Sequence, residues 1–132
     1  MNTINANVIK IQNVDNINIV SFAASSYVMK MLALELKEDL CVDSKVIIGV
    51  KATNVSITKQ KIEMISVSNQ LEVTIENIIM GKLLCSVFFK VGGNTWQSII
   101  TCECALNMQL KEGDSIVALI KSSELSIVGV LS

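Results

Sequence analysis

The feature that most constrains this chain is an internal echo. Leu40 to Ile57 reads "LCVDSKVIIGVKATNVSI", and Leu110 to Ile127 reads "LKEGDSIVALIKSSELSI". In this block Lys51 aligns with Lys121, Thr53 with Ser123, Ser56 with Ser126 and Ile57 with Ile127. An earlier block matches too: Val8 and Ile11 align with Ile75 and Ile78, and Ile17, Val20 and Phe22 with Leu84, Val87 and Phe89. The offset there is three residues shorter, so the second copy carries a three-residue insertion between the blocks. Its expected home is "KVGGNTW", Lys90 to Trp96, where Gly92-Gly93-Asn94 signals a hairpin turn, against the tighter "FAASSY", Phe22 to Tyr27. Two small units are expected, residues 1–62 and 63–132.

Each copy alternates apolar and polar residues and is rich in Val and Ile rather than aromatics, which favours half-buried strands. In the first copy strands are expected near Asn5–Gln12, Asn16–Phe22, Tyr27–Lys30, Lys45–Ala52 and Val55–Ile57. In the second they are expected near Leu71–Ile78, Lys82–Val91, Thr95–Ile100, Ser115–Lys121 and Leu125–Val130. A short helix belongs in "TCECALNMQL", where Thr101 is an N-cap candidate, and another in "KMLALELKEDL", Lys30 to Leu40, which has better helix formers but no hydroxyl cap. The stretch Thr58 to Gln70 reads as a linker or an extra strand. The expected fold is therefore mainly β: two tandem small OB-like five-stranded barrels, each with one short helix. Units of about 65 residues bury only about 60% of their unfolded surface, so burial between units or between chains is expected.

Composition removes several function classes. The formal charge is −1, and all eleven cationic side chains are lysine. Without arginine forks or a supply of stacking aromatics, nucleic-acid binding through this chain is not expected. Histidine is absent, there is no phosphate-cradling glycine loop, and no nucleophile has an evident base, so no enzyme is expected. Cys41, Cys85, Cys102 and Cys104 read as small hydrophobes in a reducing cytoplasm. Cys102-Glu103-Cys104 resembles half a metal clasp, but no second close pair accompanies it, so no metal is expected. The start "MNTINANVIK" does not read as a signal peptide, and no apolar run approaches the roughly 20 residues that span a bilayer. The expectation is a cytoplasmic protein with no membrane partner. Trp96 and Tyr27, after the hairpin turns, are assigned to packing, and Met29, Met31 and Met64 to core or interface filling.

Three stretches carry a family resemblance: "SVSNQLEVTIENI" (Ser66 to Ile78), "SIITCECALNMQLKEGDSIVALIKSSELSI" (Ser98 to Ile127) and the weaker "VKATNVSI" (Val50 to Ile57). Together they resemble the Mop, or molbindin-type, domain, also described as the transport-associated oligomer-binding (TOBE) fold. The resemblance implies binding of molybdate or tungstate at interfaces between domains, with no prosthetic group. Its members are cytoplasmic binding proteins, effector domains of molybdate-responsive regulators, or appendages of transporter ATPases. Tandem members resemble trimers in which six domains pack together with strands exchanged between neighbours, so a homo-oligomer, most simply a trimer, is implied.

A tetrahedral dianion needs convergent N–H and O–H donors and some positive charge. Lysine supplies a point charge without demanding planar geometry. The family's lysine and small-hydroxyl element maps onto Lys121-Ser122-Ser123 and, in the first copy, onto Lys51-Ala52-Thr53. Its helix-start threonine maps onto Thr101, with Cys104 where a serine usually occurs and Met31 and Leu34 in the first copy. Its serine-alanine-arginine-asparagine entry maps onto Ser66-Val67-Ser68-Asn69, with Ser68 in place of arginine; the first copy begins with Met1-Asn2. The expected function is cytoplasmic binding of molybdate or tungstate for storage, homeostasis or sensing. The alternative is an oligomerising regulatory module whose anion sites have degenerated.

Overall fold

The computed structural model describes residues 1–37 and 39–132. Ten strands form: β1 (Asn2–Val14), β2 (Ile17–Ala24), β3 (Tyr27–Ala33), β4 (Lys45–Val50), β5 (Ser56–Thr58), β6 (Asn69–Met80), β7 (Leu84–Val91), β8 (Asn94–Thr101), β9 (Ser115–Ile120) and β10 (Ser126–Val130). One α-helix, α1 (Cys102–Asn107), comes after β8, and short 3₁₀ turns at Ala52–Asn54 and Ser122–Glu124 come after β4 and β9. Every strand expected from the alternation is present, with ends shifted by at most three residues. The fold is mainly β, with two OB-like five-stranded units. Among the described residues no helix is long and apolar enough to cross a membrane.

Strand order does not obey the repeat. One sheet runs β10-β4-β1-β2-β3 and the other β5-β9-β6-β7-β8. The last strand of each copy is thus hydrogen-bonded into the other copy's sheet. Ser126 lies opposite Gly49 and Val130 opposite Val46, while Ser56 lies opposite Leu119 and Thr58 opposite Val117.

The long strands β1 and β6 each serve two neighbours. β1 pairs with β4 over Asn2–Asn7 and with β2 beyond, changing register between Val8 and Lys10; β6 does the same between Ile75 and Asn77. A bulge bends the strand and strengthens its twist, which lets one strand curl between two partners. Inward-facing Ile4, Ala6 and Val8 on β1 and Leu71, Val73 and Ile75 on β6 are buried, as the period-two pattern requires. They join Val20, Phe22, Val87, Phe89 and Trp96 in one core cluster that spans both copies.

Two buried asparagines fasten the copies together. The Asn69 carboxamide accepts from Lys30 N at 2.7 Å and donates to Lys30 O at 2.8 Å, so it pairs with the outer edge of β3 as another strand would. Asn2, its equivalent, donates to Gln97 O and accepts from Gln97 N, both at 2.8 Å, on the edge of β8. The packing role expected of Trp96 holds: it is fully buried, and its Nε1 donates to Thr3 O at 3.0 Å. The Tyr27 hydroxyl donates to Glu72 O at 2.8 Å, and burial, with Glu72 nearby, pushes its phenol above the ordinary value. Met29 and Met31 are core residues, whereas Met64 is exposed on the connector.

Two expectations are corrected. The hairpins are equally tight: Ala24 faces Tyr27 across Ser25-Ser26, and Val91 faces Asn94 across Gly92-Gly93. Their tips abut, so a Cβ on Gly92, where φ is +58°, would lie 2.8 Å from Ser25 Cβ and Ile4 Cδ1. Trp96 is consequently the counterpart of Met29, and Tyr27 that of Asn94. The three extra residues lie further on, in the connection 101–114 that corresponds to 34–44, and that is where α1 forms. The second correction is the helix expected over Lys30–Leu40, which is absent among the described residues; Glu38 lies outside them. Lys30 to Ala33 instead pair with β2, and Met31 is buried at 3% exposure, so the ladder and the core override a helix propensity that no cap supports. Within the stretch Thr58 to Gln70, residues 59–68 form a connector rather than an extra strand, between Thr58 at the end of β5 and Asn69 at the start of β6, and it is pinned where the Gln70 carboxamide bonds both Ile62 N and Ile62 O.

The aspartate of the "KEGD" turn pins the other end of that connector. Desolvation opposes its charge, but Lys111 N and the Lys59 ammonium, at 3.0 and 3.3 Å, hold the Asp114 carboxyl below the ordinary range.

The asparagine clamp makes Asn69→Ala a two-bond deletion that strands the Lys30 amide and carbonyl. A loss of about 2 kcal/mol is expected in urea unfolding, with the m value unchanged. Strand exchange has a sharper signature: truncation after Leu125 should remove hydrogen-exchange protection from the β4 amides that bond β10, in the opposite copy, while those that bond β1 and all of β9 stay protected. Loss confined to β9 would refute the exchanged topology.

Candidate functional site

β4 and β9 are each followed by a lysine in extended conformation, Lys51 (φ −67°, ψ 142°) and Lys121 (φ −63°, ψ 138°). In each case the lysine carbonyl then accepts from the N–H three residues on, Asn54 N or Glu124 N, at 2.9 Å. Burial of the next apolar residue imposes the turn. Val55 and Leu125 are each 2% exposed, and the chain must bury them while crossing to the other sheet. The lysine is thereby left on the surface with a hydroxyl two residues later: Lys51, Thr53, Lys121 and Ser123 are exposed, and Ala52 and Ser122 half-buried.

The crossing also brings the two lips together. Asn54 Nδ2 donates to Glu124 Oε2 at 2.8 Å, and these residues hold equivalent places in the two turns. Neither stands out as a site residue in the sequence, although aligning the lysines also aligns them.

Exchange decides which wall each lip meets. The Ala52–Asn54 turn packs on β8 and the Ser122–Glu124 turn on β3. Thr101 ends β8, the strand on which the Ala52–Asn54 turn packs, although in sequence it belongs with Lys121. On that side buried Ser98 donates to Val55 O at 2.5 Å. Thr101 is exposed and caps α1, its Oγ1 accepting from Cys104 N at 3.2 Å. The wall behind the other lip is apolar. There a mostly apolar cavity of about 340 Å³ opens between Met31, Ala33, Leu36, Leu125 and Ile127, with Glu35, Lys37, Ser123 and Ser126 also lining it.

The entry serines are placed by register. Asn69 lies opposite Ile120, so Ser68, just before it, comes alongside Lys121, with Ser66 further out; both serines are exposed. The structure therefore groups Lys121, Ser122, Ser123 and Ser68 on one side, while Lys51, Ala52 and Thr53 lie on the turn that packs against β8, the strand that ends at Thr101.

The cysteine pair is not a clasp. Cys102 is buried and its Sγ donates to Gly81 O at 3.3 Å, whereas Cys104 is exposed. Among the described residues no group of three or more metal-ligating side chains occurs. Burial, reinforced by neighbouring Cys102, pushes the Cys85 thiol above its usual value.

Comparison with known proteins bears on this arrangement. Residues 65–127 match the TOBE domain family. Among solved structures, the cytoplasmic molybdate-binding protein ModG, with molybdate bound, aligns with a TM-score of 0.90 at 24% identity, over 98% of this chain and 96% of that one. That likeness establishes a shared fold across both copies. A molybdate-binding protein from Sporomusa ovata aligns over 50% of this chain and 98% of its own, at 27% identity and a TM-score of 0.48. No curated protein sequence gives a significant match.

Thiol labelling tests the local geometry. In the native protein Cys41 and Cys104 should alkylate readily at neutral pH, while Cys85 and Cys102 react only after unfolding, as resolved by peptide mass spectrometry. Rapid native labelling of Cys85 would contradict the packing of α1 over it.

Proposed function

We propose that this chain, whose residues 65–127 match the TOBE domain family, binds a tetrahedral oxyanion, molybdate or tungstate, at its two lysine lips and holds it without chemistry. The observation that carries this reading is the meeting of two lysine and hydroxyl turns across Asn54 and Glu124. A lysine and neighbouring O–H donors on each of two turns in contact, on a protein of net charge −1, suit a small, compact anion better than an extended one. The likeness of the whole chain to the fold of ModG, which binds molybdate, supports the same reading.

Lys51 and Lys121 supply charge, Thr53, Ser122, Ser123, Thr101, Ser66 and Ser68 supply hydroxyls, and Ala52 supplies its backbone N–H. Rigid placement of these donors would favour anions with longer metal–oxygen bonds over sulfate. The binding units are residues 1–62 and 63–132 with their last strands exchanged, and they act in the cytoplasm for storage, homeostasis or sensing. A homo-oligomer, most simply a trimer, completes the sites at interfaces between units. Its support is the outer face of β2 and β3, where exposed Ile19 lies directly opposite exposed Leu32 with exposed Ile17 beside them. Contiguous apolar surface of this kind marks an interaction face.

A second reading rests on particular departures: Ser68 replaces the family's arginine, and Cys104 replaces a hydroxyl. Under it the chain is an oligomerising regulatory module whose anion sites are spent. Calorimetric titration with molybdate, tungstate and sulfate separates the two. Molybdate or tungstate should bind below millimolar concentration and more tightly than sulfate, and at 100 times the dissociation constant should add about 2.7 kcal/mol of stability in a thermal shift assay. Absence of any oxyanion binding below millimolar concentration would leave the second reading standing.

A further inference from the structure

The two lips are alike in cation and hydroxyl but not in the residue that closes them. The first turn ends in Asn54 and the second in Glu124, and these two side chains meet at 2.8 Å. Glu124 is exposed, and among the described residues the one ion pair is Lys59 with Asp114, so the Glu124 carboxylate is not neutralised by Lys121 of its own turn. Asn54 instead orients it toward the junction of the lips. The two turns joined by this contact therefore carry Lys51, Lys121 and Glu124, a formal charge of about +1 rather than +2.

We infer that Glu124 is an affinity-limiting residue for the oxyanion, a carboxylate held by Asn54 between the two lips so that its charge opposes a dianion in either one. The inference rests on the oxyanion reading proposed for this chain and deepens it. Exposed charges a few ångströms apart interact weakly in water but measurably at low salt, and the repulsion scales with the anion's charge. Glu124 therefore works most strongly against doubly charged molybdate and tungstate, and half as strongly against a singly charged tetrahedral anion such as perrhenate. The chain is set for moderate rather than maximal retention, as suits an anion that must be released.

Two variants separate charge from hydrogen bonding. Glu124→Gln keeps an oxygen to accept from Asn54 and removes the charge; Asn54→Ala removes the bond and keeps the charge. With the full-length protein at low ionic strength, Glu124→Gln should tighten molybdate binding three- to tenfold, tighten perrhenate less, and lose most of its advantage at high salt. Asn54→Ala, which frees the carboxylate without removing its charge, should tighten binding less than Glu124→Gln. Unchanged or weaker molybdate affinity in Glu124→Gln, an equal gain for perrhenate, or the same gain in Asn54→Ala would each overturn the inference. If the unaltered protein and both variants all fail to bind molybdate, the oxyanion reading itself falls, and this inference with it. Thermal unfolding of both variants checks that these exposed substitutions leave the fold intact.

Discussion

The exchange of terminal strands between the copies is the constraint on which the rest of the molecule depends. β5 and β10 are short, and each finds its partner only in the sheet of the other copy. Neither copy can complete five strands alone, so the two share one core and fold as one body. The buried carboxamides of Asn2 and Asn69 serve the same end by pairing with the edges of β8 and β3, which would otherwise present unpaired backbone groups. Crossing also requires a sharp change of direction after β4 and β9. The 3₁₀ turns that make it are the same segments that carry Lys51 and Lys121.

The copies then diverge where the connection lengths differ. Residues 101–114 have room for a helical turn whose Cys102 and Ala105 are buried, and Thr101 caps it. The corresponding 34–44 do not form a helix among the described residues, and a mostly apolar cavity remains beside Ser123. A lip from one copy meets a wall from the other, so a three-residue difference in the second copy changes the surroundings of the lysine in the first. Repeated sequence thus yields two lips in unequal settings.

The electrostatics of the junction are modest because of the side chains that form it. Lysine is a hydrated point charge on a flexible stem, and without arginine there is no planar fork to lock an anion in place. Selectivity then has to come from where the hydroxyls and backbone groups are held, which is a property of the turns and their walls rather than of the cations. The Asn54 to Glu124 contact adds a charge that neither turn would bring to the junction by itself.

Much of the fold was legible in the sequence. Alternation and Val/Ile content determined ten strands to within three residues, and the doubled block determined that Lys51 and Lys121 are equivalent, because both signals depend on local spacing alone. The helix over Lys30–Leu40 was misread because good helix formers also satisfy a ladder when Met31 has a core to enter. The insertion was misplaced because Gly92-Gly93 is a stronger turn signal than Ser25-Ser26, although both turns have the same length. What only the tertiary structure decided is which copy each last strand joins, and hence that the Lys51 turn packs on β8, Ser68 lies beside Lys121, and Asn54 touches Glu124. The physical reason is that β5 and β10 have the same local pattern wherever they pair; only burial of Val55 and Leu125 in the shared core, across the whole chain, selects the partner.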